Sequence, residues 1–262
     1  MNDQNKMNFP EKIVKYLKNE SYYADDIGRS DSSVLVFSDC VLKIEKTSEL
    51  SDGEHEMLLW LDGKLPAPRV IAFERENGFN YLLMTKLDGK MACNCDFSEE
   101  EVSRMLAEGL KWLWKTDISD CPKRYDWERK LAEAETKLKN GSFQGLVPQH
   151  KEFSDFESLL AYLSEHKPKE EFVFSHGDYC LPNVFLSQEG VCGFLDLGRA
   201  GSADIYEDIY MCLWSMRYNF VTLGGMEESR FVKCKEIFFR TLDIAEDCEK
   251  LRLYALMDEF EV

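Results

Sequence analysis

From Phe9 to Glu20, apolar residues fall at Phe9, Ile13, Val14, Tyr16 and Leu17, a helical spacing with Pro10 where a first turn tolerates it. Two apolar runs follow, Val34-Leu35-Val36-Phe37 and Val41-Leu42-Lys43-Ile44, parted by Ser38-Asp39-Cys40, and they predict a β-hairpin over Ser33 to Glu45. Glu54 to Leu61 reads as a helix that stops at Gly63, ahead of Pro66-Ala67-Pro68. Two further strands, Arg69 to Arg75 and Tyr81 to Lys86, flank an Asn77-Gly78 turn. After Asp88-Gly89 the spacing changes to long helical patterns: Ser98 to Lys115, Asp126 to Lys139 and Ser154 to His166, with Ser98 and Ser154 as expected N-caps. Ile205 to Leu213, Phe231 to Leu242 and Leu251 to Phe260 continue in the same way. The pattern predicts an α+β protein, with a mostly β small lobe over residues 1–87 and a mostly helical large lobe over 88–262.

Composition narrows the classes. With 44% hydrophobic, 31% charged and 13% aromatic residues among 262, the chain is a globular protein and not a disordered one. Its 49 acidic residues exceed its 32 basic ones for a formal charge of −17, which disfavours nucleic acid and anionic membrane and suits a cationic partner, or serves solubility alone. Nine cysteines without a repeated C-x-x-C spacing argue against a zinc site or a disulfide framework and for a reducing compartment. The polar N-terminus and the lack of a long apolar stretch fit a cytoplasmic location with no membrane association.

The richest segment runs from Phe172 to Gly198. Within it, His176, Asp178 and Asn183 reproduce the H-x-D-x-x-x-x-N spacing of a kinase catalytic loop, in which the Asp accepts the attacking hydroxyl's proton and the Asn holds a magnesium ion. A hairpin's length further on, Asp196-Leu197-Gly198 stands where a second metal-binding carboxylate would come. Phosphoryl transfer needs placement and charge neutralisation more than covalent help, and two carboxylates, one amide and magnesium supply that. The chemistry also asks for a strand lysine to bind phosphates. Lys43, the lysine embedded in an apolar strand pattern, takes that role, or guards an edge strand against aggregation. Glu54 shares a helix face with Leu58 and Leu61 and is the expected partner of Lys43, with Glu56 in reserve. Gly28 to Ser33 lacks a G-x-G-x-x-G pattern but offers backbone N–H groups and the Ser30 hydroxyl to phosphate.

The segments His176-Gly177-Asp178-Tyr179-Cys180-Leu181-Pro182-Asn183 and Phe194-Leu195-Asp196-Leu197-Gly198-Arg199-Ala200-Gly201 resemble the two signature motifs of the aminoglycoside phosphotransferases, especially the 3′-specific branch acting on kanamycin and neomycin. The likeness extends to Trp60 through Pro68, Leu82-Leu83-Met84, Asp117 through Pro122 and Ala203 through Asp208. It implies a two-lobed, protein-kinase-like fold, and transfer of the γ-phosphate of ATP or GTP, with Mg2+, to a hydroxyl of an aminoglycoside by a monomer or weak dimer. In that resemblance, Lys43 and Glu54 form the ion pair and Ser30 serves the phosphate loop. Asp178 is the catalytic aspartate, and Asn183 and Asp196 bind metal. The backbone of Met84-Thr85-Lys86-Leu87 meets the nucleobase, Arg199 lies near the substrate or the catalytic aspartate, and Asp208 is a structural carboxylate or a helix-start charge. Asp258 and Glu259 match acidic positions that bind the drug's amines. The chain departs from the pattern at Val41, where some members place an aromatic residue, at Trp214 and Tyr218, where relatives can carry charge, and in the acid-poor loop Gly145 to His150. A kinase for another small metabolite or antibiotic, and a nucleotide-binding pseudokinase, are the competing readings.

Overall fold

The β-branched and aromatic runs of the N-terminal third pair into a five-stranded sheet, with one face covered by the first helix, in a computed structural model that describes residues 9–17, 21–25 and 32–261. The chain divides into two compact units, one of Met1–Gly89 with Cys192–Arg199, the other of Lys90–Val191 with Ala200–Val262. Cys192–Arg199, which the sequence pattern groups with the helical part, therefore belongs with the small unit.

In the first unit, helix α1 (Glu11–Leu17) precedes strands β1 (Tyr23–Asp25), β2 (Ser33–Val36) and β3 (Cys40–Lys46), helix α2 (Glu49–Leu61), and strands β4 (Val70–Glu76) and β5 (Phe79–Thr85). The spatial order is β1-β2-β3-β5-β4, all neighbours antiparallel, so β3 is an inner strand and Lys43 sits in register between Val34 and Leu82. That removes the edge-strand explanation of Lys43. The β4–β5 turn puts Asn77 and Gly78 at φ of 51° and 80°, the left-handed pair that a tight two-residue hairpin requires. Ile13 and Leu17 of α1 pack with Leu35, Phe37, Leu42, Ala72 and Leu83 into one core, each large aliphatic side chain contributing about 1.5–3 kcal/mol.

Helix α2 begins at Glu49, five residues before the periodic pattern does. Ser48 and Ser51 cap it reciprocally, and the Asn80 side chain donates to Ser51 Oγ from the sheet at 2.9 Å. The helix thus runs through Ser51-Asp52-Gly53, residue types that favour turns, where a tertiary hydrogen bond supports its first turn.

The second unit contains β6 (Lys90–Met91), α3 (Glu99–Leu113), β7 (Arg124–Tyr125), α4 (Trp127–Lys139), α5 (Phe156–Glu165), β8 (Phe172–Ser175), β9 (Val184–Ser187), β10 (Gly190–Phe194, through which the chain re-enters the first unit), β11 (Gly201–Asp204), α6 (Ile205–Arg217), α7 (Glu228–Leu242) and α8 (Cys248–Asp258). Ser98 caps α3 as expected, but α5 is capped by Asp155 and not by Ser154, whose hydroxyl instead donates to Asp155. Val102, Leu106, Leu110 and Leu113 recur at helical spacing on α3, which packs against α7, where Phe231, Phe238 and Leu242 are buried. A central strand, β11, pairs antiparallel with β8 and parallel with β7, which fixes where the segment after Ser175 emerges. Among the described residues, no helix is long and apolar enough to cross a membrane.

Candidate active site

The first unit gathers charge around Lys43. Its Nζ lies 2.8 Å from Glu54 Oε2, 3.1 Å from Asp196 Oδ1 and 3.1 Å from Glu45 Oε1. Strand β3 presents Lys43 and Glu45 on one side of the sheet because side chains alternate with a period of two. Helix α2 turns Glu54 inward with Met57, Leu58 and Leu61, while Glu56 is exposed and takes no part. Burial alone would lower the ammonium's pKa, but the carboxylates of Glu54, Asp196 and Glu45 outweigh it and hold Lys43 protonated above the ordinary lysine range. Burial pushes the Glu54 carboxyl up to about 7, against the opposing pull of Lys43. Glu45 was absent from the sequence-based site, although its position two residues along the strand from Lys43 was the signal for it.

Asp196 has a φ of 56°, a left-handed conformation uncommon for a residue other than glycine, and leads into a short 3₁₀ turn, Leu197–Arg199. A Cβ at Gly198 would lie 3.1 Å from the Leu50 carbonyl oxygen, so the turn sits close under α2. A Cβ at Gly193 would meet Leu87 Cδ1 at 2.7 Å. Arg199 is exposed. Of the expected nucleobase segment, Met84 is buried, and Thr85 commits its N–H to the Arg69 carbonyl and its hydroxyl to the Arg69 N–H, both at 2.9 Å. Thr85 therefore has no backbone N–H to spare for a nucleobase. The Lys86 ammonium donates to the Phe37 carbonyl at 3.3 Å. Ser30 lies outside the described residues.

The second unit builds its loop from backbone hydrogen bonds. After β8, the N–H groups of His176 and Gly177 donate to Asp208 Oδ2 and Oδ1 at 2.8 and 2.9 Å. Gly177 has a φ of 78°, which lets two consecutive donors face one carboxylate. Asp208, in the first turn of α6, is thus the anchor of the loop and not a helix-start charge. Its burial pushes the carboxyl up to about 7, against the two backbone donors that favour its ionised form. His176 is fully buried and accepts the Asp178 N–H on Nδ1 at 3.4 Å. Leu181 N–H donates to Ser215 Oγ of α6 at 2.9 Å, and the Tyr179 hydroxyl to the Leu106 carbonyl at 2.9 Å.

These bonds hold Asp178 half-buried at the loop's tip. Asn183 Nδ2 donates to both Asp178 O and Asp178 Oδ2 at 3.0 Å, leaving the other carboxylate oxygen, Oδ1, for an incoming group. The same bonds fix the Asn183 amide so that its oxygen is turned away from Asp178. The Asn183 amide oxygen in the second unit and the Asp196 carboxylate in the first are each a hard donor of the kind that suits magnesium.

The acidic end of α8 does something the sequence did not show. Glu259 is buried, and its two oxygens accept from Gln149 N–H at 2.6 Å and His150 N–H at 3.0 Å, with the His150 ring also against it. It is engaged within the protein and gives the acid-poor loop Gly145 to His150 its carboxylate. Asp258 Oδ2 accepts from the Tyr210 hydroxyl at 3.0 Å. Trp214 and Tyr218 stack at 5.6 Å with parallel rings, Trp214 being exposed.

Residues 25–226 match the phosphotransferase enzyme family. The chain is 35% identical to an aminoglycoside 3′-phosphotransferase of Enterococcus faecalis over 89% of its own length and 86% of the relative's. It is also 35% identical to one of Staphylococcus aureus over 95% and 89%. The crystal structure of an aminoglycoside 3′-phosphotransferase of type VIII superposes with a TM-score of 0.76 at 22% identity, covering 95% of this chain and 97% of that one. A Streptomyces rimosus aminoglycoside phosphotransferase, in complex with ADP and streptomycin, gives 0.75 at 22% identity, covering 91% and 92%. These neighbours carry the kinase-like fold expected from the motifs.

Proposed function

The chain belongs to the phosphotransferase enzyme family, and we propose that it transfers the γ-phosphate of ATP to the 3′-hydroxyl of an aminoglycoside. The observation that carries this reading is Asp178: a half-buried carboxylate with one oxygen tied down by Asn183 and the other open, on a loop clamped to Asp208.

In this reading Asp178 Oδ1 accepts the hydroxyl proton and orients the oxygen for in-line attack. Lys43, positioned by Glu54, binds the α- and β-phosphates, and the backbone of Lys86 and Leu87 meets the nucleobase. Asn183 and Asp196 are the residues that would hold magnesium, which offsets charge on the phosphate oxygens when bound. Arg199 is assigned to the substrate end. There Asp258 takes an ammonium group directly, whereas Glu259 acts by fixing the loop at Gln149 and His150. A formal charge of −17 draws a polycation toward the protein. We assign it to the cytoplasm as a monomer or weak dimer, with GTP as the alternative donor.

A coupled ADP-release assay over a panel of aminoglycosides, with ATP and GTP in parallel, tests the reading. Turnover should require an aminoglycoside and disappear for one that lacks the 3′-hydroxyl. Equal turnover with the deoxy compound would overturn the regiochemistry, and silence across the panel would favour a different small-molecule acceptor.

A further inference from the structure

The Lys43 ammonium donates hydrogen bonds to Glu54 at 2.8 Å and Asp196 at 3.1 Å, and a third carboxylate, Glu45, crowds its remaining side as an ion pair at 3.1 Å. If Lys43 is to bind phosphate, as in the function proposed above, one carboxylate has to let go. Glu54 is the least able, with a side chain only 4% exposed and the shortest bond to the ammonium. Asp196 can keep Lys43 through Oδ1 and still offer its second oxygen to a metal ion, whose charge would neutralise it. Glu45 has neither constraint nor compensation. Its side chain is 22% exposed on a strand that reaches its end at Lys46, and Lys43 is its one ion-pair partner among the described residues.

We propose that Glu45 is a positioning residue that competes with the nucleotide's phosphates for Lys43, so that donor binding requires the Lys43–Glu45 contact to open. The cluster carries two formal negative charges in excess when its carboxylates are ionised, and a polyphosphate entering it meets repulsion that only Glu45 can relieve by swinging toward solvent. The residue thereby lowers the resting affinity for ATP and ADP alike, which favours product release. Glutamine at this position keeps the size and a hydrogen-bond acceptor while removing the charge.

The test is isothermal titration of ATP and of ADP, each with EDTA and with magnesium, into wild type and Glu45→Gln, with a thermal melt of each protein as a folding control. Glu45→Gln should bind both nucleotides roughly 3- to 10-fold more tightly, the scale of losing one partly exposed like charge. KM for ATP should fall in proportion while KM for aminoglycoside stays put, and the difference from wild type should shrink in high salt. A merely structural Glu45 would give weaker binding and a lower melting temperature on substitution. Unchanged or weakened nucleotide affinity in Glu45→Gln, beside a wild type that binds ATP, overturns the proposal. A wild type that binds no ATP overturns instead the function on which it rests. If Glu45→Gln does not fold, Glu45→Ser is read by the same criteria.

Discussion

Lys43 and Asp178 are both charged groups held in place, but by opposite means. Lys43 is fixed by other charges: three carboxylates converge on one ammonium, and the arrangement depends on each ion keeping its partner. Asp178 is fixed by neutral donors, the backbone N–H groups of its loop and the Asn183 amide, with the single buried charge of Asp208 as anchor. A charge cluster can exchange partners with an incoming polyphosphate. A backbone-clamped loop cannot, and that rigidity is what the role proposed for Asp178 needs. The two regions should therefore fail differently.

The largest effect is expected at Asp178. Asp178→Asn keeps the loop's backbone bonds and removes the open proton-accepting oxygen, so turnover should fall by at least ~10²-fold with melting temperature and nucleotide affinity nearly unchanged. Steady-state kinetics beside thermal melts with and without nucleotide check it, and near wild-type turnover would sink the assignment.

Lys43→Met should break the other region through stability as well as activity. It leaves the buried Glu54 unpaired beside two further carboxylates, at a cost of about 3–5 kcal/mol by urea denaturation. Adding Glu54→Leu should restore much of the stability and none of the nucleotide binding. Recovery of binding in the double variant would show that Lys43 does not serve the phosphates.

Asp208→Asn isolates the anchor. An amide has one acceptor oxygen where two backbone donors now meet two, so one buried N–H loses its partner at about 1–3 kcal/mol, and kcat should fall with it. The pH dependence has a definite sign. Burial raises the Asp208 carboxyl in the folded protein to about 7, above its unfolded value of 3.8, so its proton stabilises the fold at low pH and that contribution is lost as pH rises through about 7. The stability of wild type relative to Asp208→Asn should accordingly decline from pH 4 to pH 7 and level off above. A difference independent of pH would place the ionised form of Asp208 in both regions of pH.

The smallest effect is expected from Glu259→Gln, which weakens the hold on Gln149 and His150. KM for aminoglycoside should rise roughly 3- to 10-fold while KM for ATP is unaffected, on the scale of one charge-assisted hydrogen bond. A shift in both constants would place Glu259 in general folding. Truncation of the C-terminus would be a poorer probe, because Phe260 is buried against Phe143 and Phe156 and its carbonyl accepts from Lys137 at 2.6 Å.

Much of this was legible in the chain because the chemistry is local. His176, Asp178 and Asn183 lie within one loop, and Lys43 stands out as a charge inside an apolar strand. Glu54 could be told from Glu56 by helix phase alone. What stayed hidden depended on distant partners. The first turn of α2 is decided by Asn80 from the sheet, the two-residue strands β6 and β7 by the register of their neighbours, and the work of Glu259 by a loop more than a hundred residues earlier. Glu45 was hidden by its surroundings: a glutamate near a strand end reads as solvated until the lysine beside it is seen to hold three carboxylates around one ammonium.

Phosphorus NMR of the product formed from ATP and a kanamycin-type aminoglycoside tests the central claim most directly. The wild-type protein should form a phosphomonoester coupled to the proton on carbon 3′, in equal amount with ADP. An ester at another position, or inorganic phosphate without any ester, would contradict it.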